Sequence, residues 1–286
     1  MTMRIPIYKM VAAGNDFVVL DVREGQPAAD FASRAGELAK RLCRRRFDVG
    51  ADGLMLLGDP HTPSQSFSMR YYNSDGSHGS ACGNGARALA WLAATLGLWT
   101  GETEFQTDAG LYHARIEGHE RLSIGMSEGA VIATGIGTQE KRPFKVDFFN
   151  TGVPHVVTWL QTPSELDAYP VQSVGRMLRY DESFGPAGTN ANFAAVADLH
   201  ATVPLINIRT YERGVEEETL ACGTGCMATA ASFVLRSRRS EGMVDLRTAS
   251  GDVLRATLRI DGDRLTEMRL QGPARLVFEG SIALGA

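Results

Sequence analysis

The chain has 286 residues, 44% hydrophobic and 22% charged, with a formal net charge of −4. It exceeds the roughly 100–200 residues of one domain, so two domains with ordinary cores are expected, and the slight acidic excess argues against a nucleic-acid partner. The longest apolar helical run, 86–99, carries Arg87 and is too short to span a bilayer, and no charged-then-apolar leader is read; no membrane partner and a cytoplasmic location are expected.

Short strands over 5–11 and 17–21 flank the loop Ala12-Ala13-Gly14-Asn15-Asp16. A helix is predicted over 28–46, because Phe31, Ala35, Leu38 and Leu42 share one face. A loop over 47–53 and an apolar strand over 54–57 follow. The alternation of Phe67, Met69 and Tyr71 with Ser68, Arg70 and Tyr72 predicts a strand that delivers Asn73 to a cysteine loop. That loop ends Ala81-Cys82-Gly83-Asn84-Gly85 and passes into a helix over 85–98. The helix is apolar on most sides and belongs in the middle of a domain. Hairpin strands are expected over 104–107, 111–117 and 121–126. The Gly- and Thr-rich stretch 131–142 reads as an interdomain linker. Strands are expected again over 145–149, 155–160, 192–199 and 205–211. Ala221-Cys222-Gly223-Thr224-Gly225 then opens a second central helix over 224–237, and four strand-like segments close the chain.

The halves repeat. Cys82 with Cys222, Gly14 with Gly152, and Gly50 with Gly188 pair in the same order at an offset of about 140 residues, the mark of a duplicated unit. The expected fold class is α+β, two pseudo-symmetric domains over 1–130 and 131–274, each a mainly antiparallel sheet around one apolar helix. The active groups are expected where the copies meet.

A cysteine at a helix start is chemically pointed. The first turn leaves N–H groups without partners, and a thiol whose ordinary pKa is about 8.5 can fall there to roughly 7. Bare glycines let a carboxylate reach those N–H groups. Two such sites could hold one amino-acid carboxylate and set a sulfur on each face of its α-carbon, which is what inversion of a stereocentre needs: a base on one side and an acid on the other. The lysines are Lys9, Lys40, Lys141 and Lys145, none in a phosphate-cradling context, so no pyridoxal phosphate and no other cofactor are expected.

Gly14-Asn15-Asp16-Phe17, Gly50-Ala51-Asp52-Gly53, Asn73 with Cys82-Gly83-Asn84-Gly85, Pro154-His155, Tyr211-Glu212-Arg213-Gly214 and Ala221-Cys222-Gly223-Thr224-Gly225 together resemble the diaminopimelate epimerase family, in order over nearly the whole chain. The resemblance implies cofactor-free interconversion of LL- and meso-2,6-diaminopimelate, with Cys82, Cys222, His155 and Glu212 as the catalytic set. Asn15 and the N–H groups of Gly83, Asn84, Gly223 and Thr224 would hold the reacting end. Asn73, Asn190, Glu212 and Arg213 would hold the distal amino-carboxylate. The resemblance also implies that the final strand, about 275–286, returns to the first domain, and that the partners are a small amino acid and at most a second copy of the chain, a homodimer. Val153 and Gly53 depart from the familiar pattern, where many members carry asparagine and some glutamine.

Two other readings stay open. A related two-cysteine racemase could act on proline, hydroxyproline or histidine, although proline-type members typically carry histidine where Asn84 stands and lack the Asn73 and Arg213 set. A thiol redox or zinc protein could use Cys82 with Cys222, or Cys222 with Cys226; no second histidine or cysteine pair at ligand spacing supports the metal, and none is expected.

Overall fold

A computed structural model describes residues 2–79, 82–126, 128–136 and 145–285. The chain divides into two compact units, 1–124 with 272–286, and 125–271. The first contains strands β1 (Thr2–Ala12), β2 (Asn15–Asp21), β3 (Gly53–Gly58), β4 (Gln65–Asn73), β5 (His78–Gly79), β6 (Glu102–Thr107), β7 (Gly110–Gly118) and β8 (Arg121–Gly125), with helices α1 (Ala35–Leu42) and α2 (Gly83–Thr95). The second contains β9 (Gly129–Ile136), β10 (Val146–Asn150), β11 (Pro154–Trp159), β12 (Asn190–Asp198), β13 (Leu205–Glu212), β14 (Glu217–Thr219), β15 (Glu241–Arg247), β16 (Val253–Asp261) and β17 (Arg264–Pro273), with α3 (Pro163–Asp167), α4 (Val171–Arg179) and α5 (Gly223–Arg236). The last strand, β18 (Arg275–Gly285), belongs to the first unit.

Pairing in the first unit runs β18-β1-β2-β3-β4-β6-β7, parallel at β2–β3 and β4–β6 and antiparallel elsewhere. The second runs β9-β10-β11-β12-β13-β15-β16-β17, parallel at β11–β12 and β13–β15. There β17 also pairs with β9, so the order returns to its start. The seven strands of the first order match the first seven of the second, β18 taking the place that β9 holds, and β17 extends the second order by one.

Both faces of these sheets are covered, which is why β2 and β3 are continuous apolar runs without alternation. Phe17, Val19, Met55 and Leu57 turn toward α2, where Leu89 and Leu92 are fully buried. Val18, Leu20, Leu54 and Leu56 turn the other way onto Leu38 and Leu42 of α1. In the second unit α5 is wrapped by β10, β11, β12, β13, β15 and β16. Val156, Phe193 and Tyr211 face outward onto Leu166, Val171 and Leu178 of α3 and α4.

Two expectations need correction, and two helices went unread. The helix read over 28–46 is a 3-10 turn over Ala29–Arg34 followed by α1, which stops at Leu42. Its end is fixed by the returning chain, since Gly50 N–H donates to Leu42 O and Ala51 N–H to Cys43 O, with Arg46 left-handed at φ 73°. The stretch read as a linker begins as β9, paired with β10; residues 137–142 lie outside the described residues. Helices α3 and α4 interrupt what had no assignment, starting at Pro163, capped by Thr162 Oγ1, and after Pro170. No helix among the described residues is long and apolar enough to cross a membrane.

Candidate active site

In the first unit, Cys82 is the N-cap of α2. Its backbone is extended, at φ −150° and ψ 100°, and its Sγ accepts from the Gly85 N–H at 3.3 Å. The helix starts two residues before the pattern suggested because the cysteine itself is the cap. A Cβ at Gly85 would come within 3.0 Å of Met55 Sδ and 3.3 Å of Cys82 Sγ, whereas one at Gly83 would meet open space. Gly85 is there for packing; Gly83 leaves its N–H accessible.

Asn84, buried in the first turn, donates from Nδ2 to Asn15 Oδ1 at 2.7 Å and accepts from the Arg87 guanidinium. Asn15 Nδ2 donates to Asp52 Oδ2 at 2.9 Å, and Arg45 binds both Asp52 and Asp16. The Asn15 amide is therefore fixed at both ends, through a charged network rooted on the loop before β3. Asn73 sits at the end of β4 and donates to Ser77 Oγ at 2.9 Å. At Gly53 a Cβ would run into the Tyr71 ring and come within 2.7 Å of Tyr72 O. The Tyr71 ring fills the space any side chain at 53 would need.

In the second unit, Cys222 is the N-cap of α5, again extended at φ −124° and ψ 112°, but it makes no cap bond. Its Sγ lies 3.4 Å from Thr224 Oγ1. Burial pushes this thiol well above its ordinary value, the Glu212 charge adds to that, and the Thr224 hydroxyl and Gly225 N–H pull the other way. The expectation that the helix start lowers the thiol pKa does not hold at Cys222, where burial is the largest influence and raises it.

His155 is fully buried. Its Nε2 lies 2.8 Å from Thr224 Oγ1 and its Nδ1 3.1 Å from Asn192 Nδ2. Burial and then the Arg213 charge drive its pKa down to about 3, against the Asn192 hydrogen bond, so the ring is neutral at any ordinary pH. Glu212, at the end of β13, accepts from Thr219 Oγ1 at 2.9 Å, and burial raises its carboxyl. No described cation pairs with it. Arg213 follows it, and its guanidinium pairs with no described carboxylate. Asn190, which was expected to reach substrate, donates to Pro154 O and accepts from the Arg213 N–H at 2.8 Å each, so it also holds the Arg213 backbone. Thr151 Oγ1 fixes the carbonyl of Thr224.

The structure thus brings His155, Thr224, Cys222, Glu212 and Arg213 together in the second unit, and Asn15, Asn84 and Cys82 in the first. Residues the sequence reading missed are Asn192, Thr210, Thr219 and Asp52. For Asn192 there was one signal, a polar residue between Ala191 and the apolar run Phe193-Ala194-Ala195-Val196 of β12.

The diaminopimelate epimerase profile matches residues 7–132 and 148–277. A diaminopimelate epimerase of Hydrogenobaculum sp. is 36% identical, over 97% of this chain and 98% of that one, and that of Aquifex aeolicus is 35% identical, over 96% and 97%. The chain belongs to the diaminopimelate epimerase family. It is an isomerase of the epimerase type. Solved structures with the same fold include a phenazine biosynthesis PhzF-family protein of Bacillus anthracis, at TM-score 0.75 and 13% identity over 99% and 100% of the two chains. A probable proline racemase of Agrobacterium radiobacter K84 follows at 0.71 and 16% over 98% and 93%. At those identities the likeness shows only the fold, so the epimerase family assignment rests on the profile and the closer sequences.

Proposed function

We propose that the chain epimerises 2,6-diaminopimelate between its LL and meso forms, with Cys82 and Cys222 as paired acid and base and no cofactor. The observation that carries this reading is a cysteine at the N-cap of each central helix, at matching places in two matching units of a diaminopimelate epimerase family chain. One thiolate takes the Cα proton and becomes a thiol; the other thiol delivers its proton to the opposite face and becomes a thiolate. Atoms and charge balance, and the enzyme ends in the mirror protonation state. Burial and Glu212 favour the protonated form at Cys222, which starts that residue as the acid and Cys82 as the base. The unneutralised Glu212 carboxylate and Arg213 guanidinium suit the ammonium and carboxylate of a second amino-acid end, Arg213 as a bidentate partner. Cofactor independence is supported by the lysine inventory: Lys9 is committed to Asp16 and Gly50 O, and the sequence holds no lysine beyond Lys145. Chemistry on two thiols fits the reducing cytoplasm, where we place the protein, in a route supplying lysine and cell-wall precursors.

The test is solvent deuterium at Cα of LL-diaminopimelate with reduced, chelator-treated protein. Deuterium should appear together with the meso isomer. No exchange there, with exchange on proline or another amino acid, would transfer the assignment to the related racemases.

A further inference from the structure

Behind Cys222 the second unit holds a chain of four side chains whose hydrogen-bond directions can all be assigned. Asn192 and His155 are both completely buried, and Thr210 nearly so. The Asn192 amide lies 2.9 Å from the carbonyl oxygen of Val156 through Nδ2, and 3.0 Å from Thr210 Oγ1 through Oδ1. A carbonyl oxygen can only accept, so the group facing Val156 must be the NH₂. Its second N–H points at His155 Nδ1, 3.1 Å away. That nitrogen must then carry a lone pair, and the single proton of the neutral ring sits on Nε2. Nε2–H donates to Thr224 Oγ1 at 2.8 Å, which leaves the threonine its own hydrogen to give, and Cys222 Sγ is 3.4 Å away. The packing is specific to this arrangement: a Cβ at Gly225, one residue beyond Thr224, would run into Asn192 Oδ1.

We infer that Asn192 is a positioning residue, which locks His155 in its Nε2–H tautomer and thereby holds the Thr224 hydroxyl as a donor aimed at Cys222 Sγ. When the sulfur is a thiolate it finds one proton already turned toward it, in a place where burial and Glu212 both oppose the charge. If His155 carried its proton on Nδ1 instead, Nε2 would take the Thr224 hydrogen and the sulfur would lose its donor. The geometric claim stands by itself; its catalytic consequence rests on Cys222 serving as acid and base in the proposed epimerisation.

The wild-type protein decides the first half. Long-range proton–nitrogen spectra of histidine-labelled protein, with the His155 signals assigned by their loss in H155Q, should show Nδ1 unprotonated and Nε2 protonated. A protonated Nδ1 overturns the inference. The second half is read by iodoacetamide labelling of Cys222, followed by peptide mass spectrometry. N192D keeps the size and exchanges the donor for an acceptor; it should move the proton to Nδ1 and slow labelling about 10-fold, the order of one hydrogen bond to a charged atom. T224V should slow labelling equally and T224S should restore it, with kcat following labelling and KM within about twofold, as for an interaction that strengthens with charge. Labelling at the wild-type rate in T224V, or in an N192D that melts like wild type, sinks the relay. Should N192D not fold, the wild-type spectrum and the Thr224 pair still decide. Labelling and tautomer need no turnover, so a failure of the diaminopimelate assignment is separable from a failure here.

Discussion

At the scale of single residues, the second unit shows how a site becomes poised by burial. His155 is neutral because it is fully buried and Arg213 is near, and that has a consequence for stability. Its folded pKa of about 3 lies below the ordinary 6.5, so between those values the unfolded chain binds a proton that the folded chain refuses. Stability is full above pH 6.5, falls as pH drops from 6.5 toward 3, and levels below that, by at most about 1.4 kcal/mol per pH unit. Urea midpoints at pH 4, 5, 6 and 7 should show this acid slope in the wild type and a shallower one in H155Q. Equal slopes would mean that other groups carry the acid sensitivity. The residues of this site were unequally legible. Cys82 and Cys222 announced themselves because a cap is local chemistry, written in consecutive positions. Asn192 did so only faintly and Thr210 not at all, since pairing of β11 with β12 and of β12 with β13 is what gathers them behind His155.

Among elements, the central helices are alike at both ends. Each starts on an extended cysteine, and each closes on a left-handed residue with the same pair of bonds: Leu98 N–H to Ala93 O with Gly97 N–H to Ala94 O in one, Arg239 N–H to Val234 O with Arg238 N–H to Leu235 O in the other. Glycine is the natural residue for that turn. Gly97 has φ 76°, and Arg238 adopts φ 56° with a full side chain. A left-handed L-residue costs about 1–2 kcal/mol, while a glycine loosens the unfolded chain by about 0.4–1 kcal/mol. The first effect is larger, so R238G should stabilise the protein by about 0.5–1 kcal/mol, seen as a rise in the thermal midpoint. A fall would show that Arg238 contributes a contact worth more than its backbone strain. The same physics explains which elements were readable. The apolar runs of α2 and α5 and the alternation in β4 were plain, because each answers to a period in the sequence. Helix α1 was overextended because the apolar face of Phe31, Ala35, Leu38 and Leu42 continues through a 3-10 turn; α3 was invisible because five residues show no period, whereas α4 carries one in Val171, Val174 and Leu178 that went unread.

For the molecule as a whole, the matched strand orders make β18 the informative element. In the second unit the strand beside β10 is β9, which precedes it in sequence; in the first the strand beside β1 is β18, which comes last. The first unit is therefore built from two separate segments, 1–124 and 272–286, and cannot be complete without β18. Along β1, from Thr2 to Val11, β18 supplies the antiparallel partner on one side, and Ile5, Ile7 and Leu284 bury in one cluster with α1. Removing the strand exposes a long edge of unpaired N–H and C=O groups together with that apolar face, an arrangement that invites association. A chain ending at residue 271 keeps every residue of the second unit and lacks β18 together with the last two residues of β17 and Ala274 between them. Hydrogen exchange on it should show β1, β2 and α1 losing protection while β10 to β13 and α5 keep theirs, and the truncated chain should aggregate on concentration. Full protection of β1 would mean that the sheet around α2 does not depend on its last strand, while loss across both units would mean that they fold as one.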